Sequence, residues 1–378
     1  MKRKLLYIIN ALAIHGGLER IIADKVNWLA EHSQYEVHLV TFDQGDHPLA
    51  YQLSPQVNYL DVGIMFHQQY RLSGVKRWLY DIRLHKLLRL RLKQKINEIS
   101  PDIVICCQKQ FVPDVEKSRG TIPLIFECHT AYLTGKYESF SFGQRIRNKS
   151  YNCSISKAQR VIALSQGDAK EWRNVNKHVM VIPNMVHLNE TGRYSECHSK
   201  TVIFIGRYAV QKDIGSLLQI WKLVNARHPD WELHIYGGYG NESGKWSFMI
   251  KQMNANIEVH EPTSEIFDKY LESSMLLLTS LYEPFGLVLP EAMSCGLPVI
   301  SFDCPFGPAD IITDGVDGFL IENRDVKSFA DKICLLIENE ALRKKMGNAA
   351  ITSAQRYRGE LIMPIWTDLF QRTLENKI

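Results

Sequence analysis

Tyr282-Glu283-Pro284-Phe285-Gly286-Leu287-Val288-Leu289-Pro290-Glu291, continuing through Ala292-Met293-Ser294-Cys295-Gly296-Leu297-Pro298, places two carboxylates eight positions apart around the start of a short helix. Gly296 suits the left-handed position just past a helix, and Pro298 follows because it cannot continue one. Counting back, the helix begins near Leu287, so Pro290 still lies where backbone N–H groups lack intrahelical partners. Glu283 is then on the preceding loop and Glu291 about one turn in. The N–H groups at Phe285, Gly286, Leu287 and Val288, with the positive end of the helix dipole, suit a phosphate. Carboxylates beside an anion site need another part of the ligand, and sugar hydroxyls are the natural choice. The stretch therefore points to a sugar nucleotide.

Outward from it, both halves of the chain open alike. Leu5–Asn10 is an apolar run, followed by a loop with Gly16-Gly17 and an amphipathic stretch carrying Leu18, Ile21, Ile22, Val26 and Leu29. Val202–Ile205 is the second run, then Gly206-Arg207, then Ile214, Leu217, Leu218 and Trp221 at helical spacing. Further strands are expected at Glu36–Thr41, Asp102–Cys107, Leu124–Cys128, Val161–Ser165, Val179–Ile182, Trp231–Tyr236, Met275–Thr279 and Pro298–Phe302. Short apolar runs alternating with helices predict α/β domains with parallel sheets covered on both faces. The polar stretch His187–Glu196 marks a domain junction. Ligands of such sheets bind beyond the carboxyl ends of the strands. Two such domains would share one cleft lined by their first loops.

The bulk composition fits: 378 residues suffice for two domains, and 45% apolar with 23% charged residues is ordinary for a globular chain. Met1-Lys2-Arg3-Lys4 ahead of Leu5–Ile9 imitates a signal peptide, but Asn10 interrupts the run and no small-residue cleavage site follows, so a first buried strand is expected. No run reaches the ~18–20 apolar residues a membrane span needs. The eight cysteines contain no C-x-x-C pair and mostly sit in apolar runs, which favours reduced, buried thiols and a cytoplasmic chain. Residues 1–185 carry 26 Lys/Arg against 16 Asp/Glu, whereas residues 186–378 carry 19 against 25. A basic first half suggests an anionic partner or surface there.

Four further groups carry chemistry. Arg207 and Lys212 flank the loop after the first strand of the second domain, where two cations would stabilise a departing diphosphate. Gly16-Gly17, with Glu19 and Arg20, lets the backbone approach a ligand, but neither it nor Gly237-Gly238-Tyr239-Gly240 forms a G-x-G-x-x-G dinucleotide motif. His129, after Glu127-Cys128 at a strand end, is either a ligand contact or a structural histidine. No His/Cys/Asp cluster has metal spacing and no Asp-x-Asp is present, so no metal or cofactor is expected. Val75–Ile96 reads as a basic amphipathic helix, with Val75, Trp78, Leu79 and Ile82 on one stripe. Arg71, Lys76, Arg77, Arg83, Lys86, Arg89, Arg91 and Lys93 surround it, the pattern of a segment lying on an anionic membrane. An ordinary surface helix packed on a sheet is the alternative.

Taken together these residues resemble the retaining GT-B glycosyltransferases with the E-x7-E motif, family 4, of the bacterial capsule and lipopolysaccharide type. The resemblance rests on Glu283-x7-Glu291, Gly206-Arg207 with Lys212, Ile182-Pro183-Asn184, Cys304–Ile312 and Asp314–Leu320. It implies two Rossmann-like domains facing across a cleft: an acceptor-binding domain at 1–185, a nucleotide-sugar domain at 186–355, and a last segment, 356–378, whose helix near Gly359–Asn376 crosses back to the first domain. It implies that Glu283 binds the transferred sugar, Glu291 the ribose, and Arg207 and Lys212 the diphosphate, aided by the backbone of Gly16, Gly17, Gly206 and Phe285–Val288. It implies that His129 contacts the donor sugar. A hexose or N-acetylhexosamine would pass from a nucleotide sugar, in similar members a UDP-sugar, to a lipid-linked or saccharide acceptor in bacterial surface polysaccharide synthesis, at the inner face of the membrane. Retention by front-face attack would let the leaving phosphate take the acceptor proton, with no metal. The alternatives are a GT-B sugar-nucleotide epimerase or hydrolase, and a binding module without turnover. No nucleic-acid partner is expected.

Overall fold

In a computed structural model describing residues 2–132, 141–237, 243–253 and 255–375, the apolar runs become strands of two parallel sheets. The chain divides into two units, Met1–Met185 with Gly359–Ile378, and Val186–Arg358.

The first unit holds a seven-stranded sheet in the order β3-β2-β1-β4-β5-β6-β7. Its strands are β1 Arg3–Ile8, β2 Tyr35–Thr41, β3 Asn58–Asp61, β4 Ile103–Cys106, β5 Leu124–Glu127, β6 Arg160–Ala163 and β7 Val179–Val181. The run Leu5–Ile8 is wholly buried because strands on both sides pair with it, Leu5 with Val37 and with Ile103. Helices cover both faces. On one, α1 (Gly17–His32) packs Ile22, Val26 and Leu29 against Leu5, Tyr7 and Ile105. On the other, α2 (Gly74–Ile99) and α3 (Val112–Ser118) pack against Leu6, Ile8 and Val104.

The 26-residue α2 behaves as two halves. Leu84, Leu88, Leu92 and Ile96, spaced four apart, are buried on the sheet. Val75, Trp78 and Leu79 are exposed at 70%, 60% and 55%, so the packed-helix alternative holds only for the second half. Two members of the predicted membrane face are structural. Arg91 donates to the Val62 and Gly63 carbonyls, and Arg89 donates to the His85 carbonyl with Nε 3.6 Å from Asp114. Arg71, Lys76, Arg77, Arg83, Lys86 and Lys93 are exposed.

The second unit holds a six-stranded sheet in the order β10-β9-β8-β11-β12-β13. These are β8 Thr201–Gly206, β9 Glu232–Gly237, β10 Ile257–His260, β11 Met275–Leu278, β12 Val299–Phe302 and β13 Gly318–Ile321. The first unit also holds α4 (Phe142–Ile155) and α5 (Gln166–Trp172), and the helices of the second unit are α6 (Ile214–Arg227), α7 (Ser243–Gln252), α8 (Ile266–Leu271), α9 (Val288–Ser294), α10 (Pro308–Ile311), α11 (Val326–Glu338) and α12 (Glu340–Ala354). The chain leaves the first unit at Met185, just before the polar stretch expected to be the junction. That stretch folds onto the second unit, Asn189 N–H donating to Ser294 Oγ at 3.0 Å. After Arg358 the chain returns, and α13 (Gly359–Leu374) buries Ile362, Met363, Trp366, Leu369 and Phe370 in the core of the first unit. Asn376 and Gly238-Tyr239-Gly240 lie outside the described residues. No described helix is long and apolar enough to cross a membrane.

Candidate functional site

In the second unit, strand order brings the predicted donor residues together. β8 and β11 are neighbours, Phe204 opposite Leu277, so the loops after them meet. The first loop makes a single 3₁₀ turn, Val210–Lys212, and is stitched to the second by three bonds. Leu281 N–H donates to the Gln211 carbonyl at 2.7 Å, Gln211 Nε2 to the Tyr282 carbonyl at 3.1 Å, and Thr279 Oγ1 to the Lys212 carbonyl at 3.0 Å. Asp213 then caps α6 by accepting from Ser216 N–H. Its own ion pair with Arg324 holds the end of the loop.

This stitching fixes Lys212 over Glu283. Lys212 Nζ lies 2.6 Å from Glu283 Oε2, with the two side chains 16% and 10% exposed. The same oxygen accepts from Ser280 Oγ at 3.0 Å. The Glu283 backbone is clamped as well, its N–H to the Pro305 carbonyl at 3.2 Å and its carbonyl to Gly307 N–H at 2.7 Å. A mostly buried ion pair stays favourable only with good geometry and further hydrogen bonds, and both are present. Burial, with the Glu283 charge nearby, pushes the Cys304 thiol up to about 12, so it stays protonated.

The predicted helix is α9, which begins one residue after Leu287 and ends with Gly296 at φ 85°. Among the described residues, no group accepts from the N–H groups of Phe285, Gly286, Leu287 or Val288. Unpartnered backbone donors at a helix start are groups that suit an anion. Glu291, in the first turn, accepts from Tyr270 Oη at 3.1 Å. Gly206 ends β8, and Arg207 is exposed, with no acceptor for its guanidinium among the described residues. Ser280, Gln211 and Tyr270 support the site without any sequence signal of their own. They matter because of where β11 and α8 end.

In the first unit, His129 lies just beyond β5, and its imidazole is 4% exposed. Its Nε2 is 3.0 Å from Glu127 Oε1 but not aligned for a hydrogen bond, and neither ring nitrogen has a hydrogen-bond partner among the described residues. Glu127 is fully buried against the ammonium of Lys25 on α1. Burial alone would raise the Glu127 carboxyl, but the charges of Lys25 and His129 outweigh it and hold the group at about 2. Lys25 also lies 3.9 Å above the Trp366 ring of α13. His129 is thus set by a buried charged network that spacing alone does not reveal.

Gly16 and Gly17 open α1 as expected, without a side-chain cap. The Glu19 carboxylate folds back over Gly16, within 2.2 Å of where a Cβ would stand. An anion seated at this helix start has to displace it. Beyond the carboxyl ends of β1, β2 and β4 lies a cavity of about 630 Å³, lined among others by Asn10, Asp43, His67, Arg77, Phe111 and Arg147.

Residues 15–190 match the family described as Glycosyltransferase Family 4, and residues 195–353 that described as Glycosyl transferases group 1. The amylovoran biosynthesis glycosyltransferase AmsD of Erwinia amylovora is 27% identical over 97% of this chain and 99% of its own. The lipopolysaccharide 1,6-galactosyltransferase of Escherichia coli is 28% identical over 89% of this chain and 90% of its own. A Staphylococcus aureus TarM variant, solved with fondaparinux, alpha-GlcNAc-glycerol and UDP, superposes with a TM-score of 0.80 at 18% identity, covering 97% of this chain and 99% of that one. The chain is a glycosyltransferase of the GT-B fold, family 4 in its first unit and group 1 in its second.

Proposed function

We propose that this enzyme moves a hexose or N-acetylhexosamine from a UDP-sugar to a saccharide or lipid-linked acceptor in bacterial surface polysaccharide synthesis, with retention and without a metal. The observation that carries the reading is the Lys212–Glu283 pair at 2.6 Å beside four unpartnered N–H groups. The amides and Lys212, with Arg207, take the diphosphate, and their fixed charge stabilises the departing nucleoside diphosphate. Glu283 and Glu291 accept from hydroxyls of the sugar and the ribose. Gly206 leaves room for the diphosphate, the Gly16-Gly17 backbone meets it once the Glu19 carboxylate is displaced, and His129 donates to the donor sugar. The leaving phosphate oxygen takes the acceptor proton as the new glycosidic bond forms on the face it vacates, so no protein base is required.

Two relatives support the polysaccharide context, being named for amylovoran and lipopolysaccharide synthesis, and UDP in the TarM structure supports the base. For the acceptor, the 630 Å³ cavity offers carboxylate, imidazole and guanidinium groups suited to sugar hydroxyls and phosphate. It adjoins the exposed Val75, Trp78 and Leu79 with the basic residues of α2, which support peripheral contact with an anionic membrane.

The test is nucleotide release from a panel of UDP-sugars with and without acceptor glycans, followed by proton NMR of the anomeric linkage. Acceptor-dependent release and an unchanged anomer are expected. Acceptor-independent isomerisation of the donor would overturn the transferase reading, and activity abolished by EDTA and restored by magnesium would overturn the metal-free one.

A further inference from the structure

Sequence spacing shows no metal cluster, yet the second sheet assembles one from a short pattern used twice. Glu232-Leu233-His234 lies on β9 and Glu258-Val259-His260 on β10. The strands are parallel neighbours with Glu258 opposite His234 and His260 opposite Tyr236. Strand alternation sends Leu233 and Ile235 into the core, and Glu232, His234 and Tyr236 to the other face. Glu258 and His260 share that face. One ligand atom from each of His234, Glu258 and His260 falls within 4.8 Å of the others.

We propose that His234, His260 and Glu258 bind one first-row divalent transition ion, of which Zn²⁺ is the best match. Ligands at about 2.0–2.1 Å around a tetrahedral ion lie about 3.3 Å apart. His260 Nε2 is 3.3 Å from His234 Nδ1 and 3.5 Å from Glu258 Oε2. Two edges of a tetrahedral site are therefore already at length. The orientation of His234 supports the same assignment. Its Nε2 is 3.3 Å from Glu232 Oε2, which takes the Nε2 proton and leaves the Nδ1 lone pair facing His260. Tyr236 stacks on the His260 ring, centroids 4.5 Å apart and planes 15° apart, and limits its rotation.

The ion is held by imidazole nitrogen and one carboxylate oxygen, a donor set that suits zinc or copper over magnesium or calcium. The three protein ligands leave a fourth position to water. Because β10 is the edge of the sheet, the ion pins an edge strand to its neighbour. The stabilisation follows from binding the folded state alone. None of the residues assigned to the donor takes part, so the site stands or falls apart from the proposed reaction.

The probe is Zn²⁺ itself, titrated calorimetrically into the untagged, metal-stripped full chain. One equivalent is expected to bind through this site. His234→Asn or His260→Asn should weaken it at least about 10-fold, and Glu232→Gln about 10-fold through the orientation it gives His234. Zn²⁺ at a hundredfold excess over its dissociation constant should raise the unfolding midpoint by several degrees, and the double histidine variant should lose that shift. Co²⁺ in place of Zn²⁺ should give the intense visible bands of a tetrahedral site. Should a histidine variant fold poorly, Glu258→Gln, on an exposed side chain, reads the same loss. A double histidine variant that binds Zn²⁺ as tightly as the parent overturns the proposal.

Discussion

The two buried ion pairs differ in what their removal should do. Lys212–Glu283 belongs to the proposed donor site, so Lys212→Ala should lower kcat about 10²–10³-fold, the loss typical of one fixed donor at a developing charge. Glu283→Gln should fall in the same direction, and a double variant no worse than the worse single one would show that the residues act as a unit. Steady-state nucleotide release reads both, and turnover within about twofold of the parent would remove them from the site. Lys25–Glu127 is enclosed, its side chains 1% and 0% exposed. Glu127→Gln strands a buried ammonium and should cost about 3–5 kcal/mol in urea unfolding, whereas Lys25→Met with Glu127→Leu should recover much of that. The folded carboxyl titrates at about 2, below the ordinary ~4.3 of a glutamate. Its contribution to stability is therefore complete above about pH 4.5 and is lost as pH falls towards 2, and the Gln variant should flatten stability across that window.

Among the elements, legibility follows burial for most strands, the exceptions being β13, largely buried yet missed, and the half-buried edge strand β7, which was expected. The central strands β1, β4, β5, β8, β11 and β12 stand out as apolar runs because both faces are covered. The strands missed are β3, β10 and β13, all at sheet edges. Asn58–Asp61 and Ile257–His260 are half exposed, so their composition resembles loop, and only pairing with β2 or β9 makes them strands. Glu283 and Glu291 were legible because they flank the start of a short helix whose stop signals, Gly296 and Pro298, fix where it begins. The partners Gln211 and Tyr270 were not, because register and not sequence distance sets their approach, and Ser280, three residues before Glu283, carries no signal of its own. The loop after β12 is held as tightly: a Cβ on Gly307 would stand 2.1 Å from the Phe285 carbonyl. Gly307→Ala should therefore shift the Phe285–Val288 backbone and raise KM for the donor, while Gly315→Ala, where no atom lies within 4 Å but φ is 73°, should cost stability with little change in KM. At α2 the exposed Val75, Trp78 and Leu79 are the apolar half of an amphipathic face. Replacing Trp78 by Ser with Lys76 and Arg83 by Glu should abolish flotation with anionic liposomes and leave binding of soluble substrates intact. Equal flotation of parent and variant would assign that face elsewhere.

For the whole molecule, the decisive segment is the last helix, which comes late in sequence and belongs to the first unit. It buries Ile362, Met363, Trp366, Leu369 and Phe370 against Tyr7, Val26 and Tyr35. Five such side chains at about 1.5–3 kcal/mol each amount to roughly 8–15 kcal/mol of burial, comparable to the net stability of a domain. Part of that is offset by the entropy of ordering the helix, but its loss also uncovers Lys25, whose ammonium lies 3.9 Å over the Trp366 ring. A chain ending at Arg358 keeps every strand of both sheets yet leaves this apolar face and a buried charge open to water. Calorimetry of that truncation should show the transition of the second unit preserved and that of the first lowered by more than about 10 °C or absent, with aggregation on heating. Adding back 359–378 as a separate peptide should restore part of the lost transition in proportion to its concentration, as binding to the folded state alone requires. Two unchanged transitions in the truncated chain would show that the helix merely rests on the first unit.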